Sequence, residues 1–140
     1  MTGGTRGIGL AVVRVFLQNG ARVALFGSRQ ETADRAVAAL KSEEPGWDVI
    51  GLAPDLTDFA SVQAAVEAVR ARFGGVDILV NNAGISAREP LADYKPEAFK
   101  AIMDLNVTAV FNGCKAVEPI MRAAGHGCIV NTSSMVSLYG

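Results

Sequence analysis

The sequence has few of the residues from which metal sites and disulfide frameworks are built. Only two of its 140 residues are cysteines and only one is a histidine. Cys114 and Cys128 lie in apolar segments without the spacing of metal ligands, so we expect two small buried side chains in a reducing compartment and no disulfide. His126 stands between two glycines, which favours a turn over a catalytic role. No metal site is expected.

The chain also lacks a strong net charge and a long hydrophobic run. Its 13 basic and 14 acidic residues give a formal net charge of −1, which offers no electrostatic attraction to nucleic acid or to an anionic membrane. No apolar run approaches the roughly 20 residues that cross a bilayer, and residues 2–9 do not resemble a signal peptide. Length and composition fit one globular domain, and we expect a cytoplasmic protein.

What the sequence does have is a regular alternation of apolar strands and helices. Strands are predicted at residues 22–26, 49–53, 76–80 and 128–131. A long helix is predicted between the last two strands, at residues 96–123. The alternation indicates an α/β fold, in which a parallel sheet is covered by helices on both faces. We interpret residues 1–140 as one domain, or part of one.

Four helix features can be predicted in more detail. The helix after the second strand should carry Val62, Val66, Val69 and Phe73 on one side. The apolar spacing of the first helix predicts a buried face formed by Ile8, Val12, Val15 and Phe16. In the second helix, Ser28 and Glu31 match a capping box with Ser28 as the N-cap. The long helix carries an apolar stripe made of Phe99, Met103, Val110, Val117 and Met121, and one amide, Asn106, falls on it.

A glycine-rich turn opens the chain. Residues 2–9 read Thr-Gly-Gly-Thr-Arg-Gly-Ile-Gly and lead into an apolar helical run. Glycine lacks a Cβ atom, so the backbone N–H groups of such a turn can approach a ligand closely. The helix that follows points its N-terminal donors at the same place, which favours a phosphate group. A glycine loop that is merely flexible is the alternative. We expect a cofactor to bind at Gly3, Thr5, Arg6, Gly7, Ile8 and Gly9.

Polar residues follow each predicted strand. In an open parallel sheet, ligands collect beyond the carboxyl ends of the strands. The residues that fall there are Ser28-Arg29, Asp55-Leu56, Asn81-Asn82-Ala83-Gly84 and Ser133-Ser134. The glycine turn should lie at the same edge of the sheet. We therefore expect one site assembled from all of these stretches.

These residues together resemble the short-chain dehydrogenase/reductase family. Thr2, Gly3, Gly7 and Gly9 match its Thr-Gly-x-x-x-Gly-x-Gly motif, and residues 81–84 match its Asn-Asn-Ala-Gly motif in full. The resemblance implies a Rossmann-like, doubly wound sheet and an oxidoreductase that moves hydride between a nicotinamide and a carbonyl or secondary alcohol. It also implies a homodimer or homotetramer for the full-length protein, formed through the long helix.

The resemblance further implies roles for single residues. Ser134 matches the catalytic serine that orients the substrate oxygen, and Asn106 matches the asparagine that holds a relay water. Two further groups match cofactor contacts: one holds the adenine ring and the other lines the ribose. The first group is Asp55 and Leu56, and the second is Asn82, Ala83 and Gly84.

Each of these roles has a structural alternative that the sequence leaves open. Asn106 can be a buried amide that bonds to backbone groups. Ser134 can be a turn or helix-cap serine, although Ser133 fits that role better. Asp55 can merely begin a turn, and Asn82 can be a turn asparagine that also faces the cofactor.

The end of the first predicted strand indicates which cofactor binds. An NAD site usually has an acidic residue there, which bonds the ribose 2′-hydroxyl. This chain reads Gly27-Ser28-Arg29 instead, with no carboxylate to repel a 2′-phosphate. Arg29 and Arg6 can pair with that phosphate, and the Ser28 hydroxyl can also face the ligand. We therefore predict NADP(H) over NAD(H), with a solvated helix-start charge as the alternative for Arg29.

Two parts of the family pattern are missing. The Tyr-x-x-x-Lys pair that would move the proton should follow Ser134 by about a dozen residues, yet the chain ends at Gly140. Tyr139 is too close to Ser134, and no lysine follows it. At the other end, only Met1 precedes the glycine turn, where a strand is expected. We expect a partial sequence, clipped at both ends and inactive alone; the alternatives are a non-catalytic NADP(H)-binding regulatory module and a non-functional gene fragment.

Overall fold

The computed structural model describes residues 1–134. Within them the chain forms the strands β1 (Val23–Phe26), β2 (Val49–Leu52), β3 (Ile78–Asn81) and β4 (Cys128–Asn131). The helices are α1 (Gly7–Gln18), α2 (Gln30–Glu43), α3 (Phe59–Phe73), α4 (Pro96–Met103) and α5 (Ala109–Ala124), with a π-helical turn over Asp104–Thr108 and a 3-10 turn over Leu91–Asp93. All four predicted strands are present, and their bounds differ from the expected ones by at most two residues.

The strands form a parallel sheet in two halves. β1 pairs with β2, and β3 pairs with β4. The first two residues of the chain join the halves, because the Phe26 N–H donates to the Met1 carbonyl at 2.9 Å and the Thr2 N–H donates to the Val80 carbonyl at 3.0 Å. The order across the sheet is therefore β2, β1, residues 1–2, β3, β4. Met1 and Thr2 pair with β1 and β3 at the place where the strand expected before the glycine turn would end.

Helices cover both faces of the first half of the sheet. Val23 and Leu25 of β1 are buried in a core shared with α1 and α2. Phe26 points to the opposite face, where it is buried with Val69 and Phe73 of α3. The alternation of side chains along β1 therefore supplies two cores, and the predicted α/β fold with a doubly wound sheet is confirmed.

The second half of the sheet is covered on one face. Leu79 of β3 is buried among residues of α3 and α5. The predicted buried side of α3 is confirmed, since Val62, Val66, Val69 and Phe73 are all buried. Every residue of β4 is exposed. Cys128 lies on that strand and is exposed, and Cys114 is only half-buried, so the expectation of two buried thiols is wrong.

The predicted face of α1 is wrong at two of its four residues, while Val12 is half-buried and Phe16 packs against the core. Gly9, Val13 and Leu17 are the buried residues of this helix, whereas Ile8 and Val15 are 74% and 57% exposed. The glycine turn sets which side of α1 faces the core, because the helix contacts that turn through Gly9. Val13 and Leu17 lie on the same side as Gly9 and are therefore buried. Ile8 is left at the surface beside the turn.

The capping box expected at Ser28 is absent. The N-cap of α2 is Arg29, and no side chain in the described part of the chain caps that end. The shift has a backbone cause: the Gly27 N–H still donates to the Leu52 carbonyl at 2.9 Å, so the chain leaves the sheet only after Gly27. The Thr32 hydroxyl then donates to the Arg29 carbonyl at 2.7 Å.

The long helix is divided by its π-helical turn. α4, before the turn, buries none of its residues, whereas α5, after it, buries six. The apolar stripe is divided in the same way: Phe99 and Met103 are exposed, whereas Val117 and Met121 are buried. Among the helices of residues 1–134, none is long and apolar enough to cross a membrane.

A histidine contact ties the start of β4 to the start of β3. His126 lies in the turn before β4, as expected. Its Nε2 atom is 3.0 Å from Oδ1 of Asp77, and its Nδ1 atom is 3.1 Å from the Ala124 carbonyl oxygen. The Asp77 backbone carbonyl also accepts from the Cys128 N–H at 2.8 Å. The hydrogen bonds to Asp77 and Ala124 raise the pKa of His126 above its ordinary value.

This contact should stabilise the fold only while His126 is protonated. Because its folded pKa is raised, the stabilisation is complete below the ordinary pKa of 6.5 and is lost as the pH rises through the folded value. We expect His126→Gln to lower the melting temperature at about pH 5.5 and to change it little at about pH 8.5. Asp77→Asn, measured in the same circular-dichroism melts, should remove the pH-dependent difference. An equal effect of His126→Gln at both pH values would contradict this account.

Candidate functional site

One hydroxyl group joins the glycine turn to the loop after β3. The Thr2 side chain is buried, and its Oγ1 atom accepts from the Asn82 N–H at 2.9 Å and from the Ala83 N–H at 3.0 Å. The Asn82 side-chain amide also reaches back to the carbonyls of Thr2 and Gly3, at 3.3 and 3.4 Å. The two motifs that the sequence singled out are therefore in direct contact at the carboxyl edge of the sheet.

The glycines of the turn permit close contacts that a side chain would block. Gly3 has φ +64°, and a Cβ atom on it would lie 3.0 Å from the Ala83 Cα atom. A Cβ atom on Gly9 would lie only 2.0 Å from the Gly3 carbonyl oxygen. Gly7 has φ +54° and begins α1. The helix therefore starts directly against the turn, and this geometry is suited to an anion such as a cofactor phosphate.

Two exposed arginines stand where the turn meets β1. Thr5 lies against Gly27, because a Cβ atom on Gly27 would be 2.8 Å from Thr5 Cγ2. Arg6 is the N-cap of α1 and Arg29 is the N-cap of α2. Both are exposed, as is Ser28, and within residues 1–134 neither arginine forms an ion pair. An anionic group can therefore bind them without first breaking an internal ion pair.

Asp55 forms a turn after β2. Its Oδ1 atom accepts from the Thr57 N–H at 2.9 Å and from the Thr57 hydroxyl at 2.7 Å, and these bonds lower the pKa of the Asp55 carboxyl. The backbone N–H of Asp55 donates to Ser61 Oγ at 3.0 Å. The turn role that the sequence left open is thus present, while Leu56 is half-buried and packs against the core. Asp55 remains exposed and ionised at the sheet edge.

Asn106 holds the loop that follows Gly84. The Ile85 N–H donates to Asn106 Oδ1 at 2.9 Å, and Asn106 Nδ2 donates to the Ile85 carbonyl at 2.8 Å. A Cβ atom on Gly84 would lie 3.2 Å from the same Oδ1 atom. Asn106 lies in the π-helical turn, so both groups of its amide bond to one residue of the loop. This is the backbone-bonding role that the sequence left open as an alternative.

Ser134 lies beyond the end of β4, where a paired amide aligns the strand. Asn81, at the end of β3, is 3% exposed, and its Nδ2 atom donates to Asn131 Oδ1 at 2.9 Å. The Thr132 N–H donates to the Asn81 carbonyl at 2.9 Å. The stretch that leads to Ser134 is thus tied to β3 by both a side chain and the backbone. Tyr139 lies outside the described residues.

Several residues of this site were given no role of their own in the sequence analysis. Thr2 was quoted only as part of a motif, although its hydroxyl connects the two loops. Asn81 and Asn112 are buried amides, and Asn112 donates to the Leu56 carbonyl at 3.0 Å. A polar residue inside an apolar strand or helix was the available signal for both amides. Ile85 carried no signal, because its role rests on its backbone.

The structure brings most of the predicted residues into one connected arrangement. Direct contacts link the glycine turn to residues 82–83, Thr5 to Gly27, and Gly84 to Asn106. Asp55 follows the carboxyl end of β2, and Ser134 follows the carboxyl end of β4. Within the described part of the chain, no group of three or more histidine, cysteine or acidic side chains could hold a metal ion.

The glycine turn should fail as a cofactor cradle when Gly9 gains a side chain. Because the new Cβ atom would lie 2.0 Å from the Gly3 carbonyl oxygen, Gly9→Ala must separate α1 from the turn. We expect it to weaken NADPH binding by more than about tenfold, as measured by thermal shift and fluorescence titration. Gly75→Ala is the matched control, since a Cβ atom there would meet no atom within 4 Å. Unchanged NADPH binding by Gly9→Ala would contradict the assignment of this turn.

Comparisons with known proteins agree with this arrangement. The family model for short chain dehydrogenases matches residues 1–140. A 3alpha-hydroxysteroid dehydrogenase from Mediterraneibacter gnavus is 56% identical over the whole chain, which spans 56% of that protein. A D-threitol dehydrogenase from Mycolicibacterium smegmatis is 36% identical over 98% of the chain, and the match spans 52% of that protein. The chain thus spans just over half the length of these relatives.

A solved structure shows the same fold. A metagenomic short-chain oxidoreductase in complex with NADP superposes with a TM-score of 0.86 at 34% identity, over 96% of this chain and 60% of that one. Because the family model covers every residue and the solved relative superposes closely, the chain belongs to the short chain dehydrogenase family of oxidoreductases.

Proposed function

We propose that residues 1–140 form the cofactor-binding part of an NADP(H)-dependent oxidoreductase and belong to one nucleotide-binding domain. The observation that carries the proposal is the cradle at the carboxyl edge of the sheet. There the Thr2 hydroxyl fixes the glycine turn to residues 82–83, and α1 begins against Gly3. A cradle closed by the absence of Cβ atoms fits a pyrophosphate, whose oxygens need close backbone donors.

NADP(H) is proposed over NAD(H) because of the charges at the end of β1. Gly27-Ser28-Arg29 contains no carboxylate, and Arg6 and Arg29 are exposed without ion pairs in the described residues. Two available guanidinium groups favour a 2′-phosphate, which a carboxylate at this place would repel. The solved relative that contains NADP supports this choice.

The remaining site residues are assigned proposed roles in the cofactor pocket. Asp55 and Leu56 would border the adenine ring at the end of β2, where Asp55 is held in its turn by Thr57. Asn82, Ala83 and Gly84 would line the ribose beside the glycine turn. Both bonds from Thr57 go to Oδ1 of Asp55, and its second carboxylate oxygen, Oδ2, is the atom that would accept from a ligand donor.

Ser134 and Asn106 are the proposed residues for the reaction itself. A bound nicotinamide would supply or accept the hydride. The Ser134 hydroxyl would donate to the substrate oxygen and stabilise the charge that develops on it. Asn106 would act by position, because its side chain holds the loop at Ile85, and a relay water would have to bind elsewhere on the π-helical turn. Proton transfer requires a further acid, for which the described residues offer no candidate at this edge.

A hydroxysteroid is the substrate class that we propose to test first. The relative at 56% identity is named as a 3alpha-hydroxysteroid dehydrogenase, whereas the D-threitol dehydrogenase is only 36% identical. The exposed side chain of Ile85, held beside Asn106, gives the site an apolar border. The second candidate function is a non-catalytic NADP(H)-binding module, which would use the same cradle at Thr2 and residues 82–83.

Cofactor titration tests both the site and the choice of cofactor. We expect one cooperative melt for the 140-residue chain and a larger thermal shift with NADPH than with NADH. Arg29→Ala and Arg6→Ala should each raise the dissociation constant of NADPH about tenfold, because each removes a charge-assisted bond, and should change that of NADH less than about twofold. Arg70→Ala, which removes an exposed arginine paired with Glu67 on α3, is the control.

Two outcomes would count against the proposal. Tighter binding of NADH than of NADPH would reject the cofactor choice. If Arg29→Ala weakened the binding of both cofactors equally, the proposed contact of Arg29 with the 2′-phosphate would be rejected. Turnover by the full-length protein distinguishes the enzyme from the binding module: NADPH consumption with a 3-oxosteroid that Ser134→Ala abolishes supports an enzyme. Cofactor binding without any turnover supports the module.

We also propose that copies of this chain associate through the exposed side of the long helix. Phe99, Met103, Val107 and Phe111 recur at intervals of four residues and are 41–61% exposed. An apolar stripe of this kind on a helix surface favours burial against a second copy. Sedimentation should show a dimer that Phe111→Asp dissociates, whereas Lys115→Asp on the next turn should have a smaller effect. A monomeric chain at high concentration would reject this interface.

A further inference from the structure

A buried amide of α5 reaches the loop that follows β2. Asn112 is 4% exposed and shares the buried side of the helix with Ala109 and Ala116. Its Nδ2 atom donates to the Leu56 carbonyl at 3.0 Å, across 56 positions of the chain. Packing alone does not require an amide here, because an apolar side chain of the same size would be buried at a lower cost. The amide is therefore explained by the carbonyl that it holds.

The peptide group between Leu56 and Thr57 is held from both sides. Its carbonyl accepts from Asn112, and its N–H, which belongs to Thr57, donates to Asp55 Oδ1 at 2.9 Å. A peptide group is planar, so the direction of the carbonyl fixes the direction of the N–H. One rigid unit thus connects the Asn112 amide to the Asp55 carboxylate.

Within residues 1–134, the other hydrogen bonds of Asp55 involve residues close to it in sequence. The Thr57 hydroxyl donates to Oδ1 at 2.7 Å, and the Asp58 N–H donates to the Asp55 carbonyl at 3.2 Å. The Asp55 N–H donates to Ser61 Oγ at 3.0 Å. These bonds hold the turn against the start of α3, whereas Asn112 holds it against α5.

α5 is a fixed support for this contact. Val117 and Met121 of the helix are buried in the core beside β3. Next to Asn112, a Cβ atom on Gly113 would lie 2.7 Å from Asn81 Oδ1, so the helix backbone lies directly against the end of β3. The contacts that place the helix on β3 therefore also place the Asn112 amide opposite the loop after β2.

We propose that Asn112 is a positioning residue for the base of the cofactor: it holds the Asp55 carboxylate in the orientation from which Oδ2 accepts from the exocyclic amino group of adenine. This role rests on the proposed function, in which Asp55 borders the adenine ring. Without the Asn112 donor, the peptide group between Leu56 and Thr57 can turn, and the carboxylate turns with it. The glycine turn and Arg29 do not depend on this contact, so the phosphate groups of the cofactor keep their proposed partners.

A change of the cofactor's base tests this role. The probes are NADPH and its analogue with hypoxanthine in place of adenine, which has an oxygen where adenine has the amino group and gives the same nicotinamide fluorescence. We expect the full-length protein to bind NADPH about tenfold more tightly than the analogue, because the analogue cannot donate to Asp55. Asn112→Leu, which removes the donor at similar volume, should lower this ratio to about twofold or less and change the affinity for the analogue by less than about threefold.

A merely structural role of Asn112 gives a different result, because a loosened fold weakens the binding of both ligands equally and leaves their ratio unchanged. Val117→Ala is the matched control: it removes buried volume from the same helix, so it should lower the melting temperature and preserve the ratio. If Asn112→Leu does not fold, Asn112→Ser tests the same loss, since its hydroxyl is one atom too short to reach the Leu56 carbonyl.

The two levels of the proposal fail in different ways. The positioning role is overturned if a folded Asn112 variant keeps the wild-type ratio, or if the wild-type protein binds NADPH and the analogue equally. Absence of NADPH binding by the wild-type protein rejects the proposed function itself, and the positioning role with it, before any variant is made.

Discussion

The site depends on a single hydroxyl group that accepts two backbone hydrogen bonds. Thr2 Oγ1 receives the N–H groups of Asn82 and Ala83, residues that lie 80 and 81 positions further along the chain. A partly buried N–H without an acceptor costs about 1–3 kcal/mol, so loss of this oxygen would release the loop after β3 from the glycine turn. The position of Asn82 beside the carbonyls of Thr2 and Gly3 follows from the same contact. The cradle for a cofactor exists because of it.

Asparagine side chains serve the backbone throughout this edge of the sheet. Loops beyond the ends of strands have no ladder partners, so their N–H and carbonyl groups need other acceptors and donors. A side-chain amide offers one of each. Asn106 bonds to both backbone groups of Ile85, and the Asn82 side chain donates to the carbonyls of Thr2 and Gly3. Loops that would otherwise be mobile are therefore held without additional secondary structure.

The sequence predicted those parts of the fold in which burial follows local periodicity. The strands and the buried side of α3 were recovered because their apolar residues repeat with one period over the whole element. The face of α1 was missed because a contact of Gly9 with Gly3, visible only in three dimensions, sets the rotation of the helix. The capping box at Ser28 was missed because Gly27 continues the pairing with β2. Local pattern could not reveal either long-range contact.

The sequence predicted which residues form the candidate site better than it predicted the hydrogen bonds between them. Motif residues at the ends of strands were expected to meet, and the glycine turn does meet residues 82–84. The motif alone could not predict that the Thr2 hydroxyl accepts from Asn82 and Ala83, because the sequence does not show which loop lies next to Thr2. Asp55 has the turn role that the sequence left open, and Asn106 has the backbone-bonding role. Their proposed roles toward a ligand depend on groups that are not part of this chain.

The π-helical turn at Asp104–Thr108 has a consequence for how this chain tolerates insertions and deletions. Such a turn holds one residue more than an α-helical turn of the same rise. Removal of one residue there would restore regular α geometry and would leave α4 and α5 in nearly the same relative orientation, because the turn absorbs the extra residue. The core contacts of Val117 and Met121 lie beyond the turn and would survive, but Asn106 would point away from Ile85. Length changes in this turn thus separate the packing of the helix from the arrangement of the site.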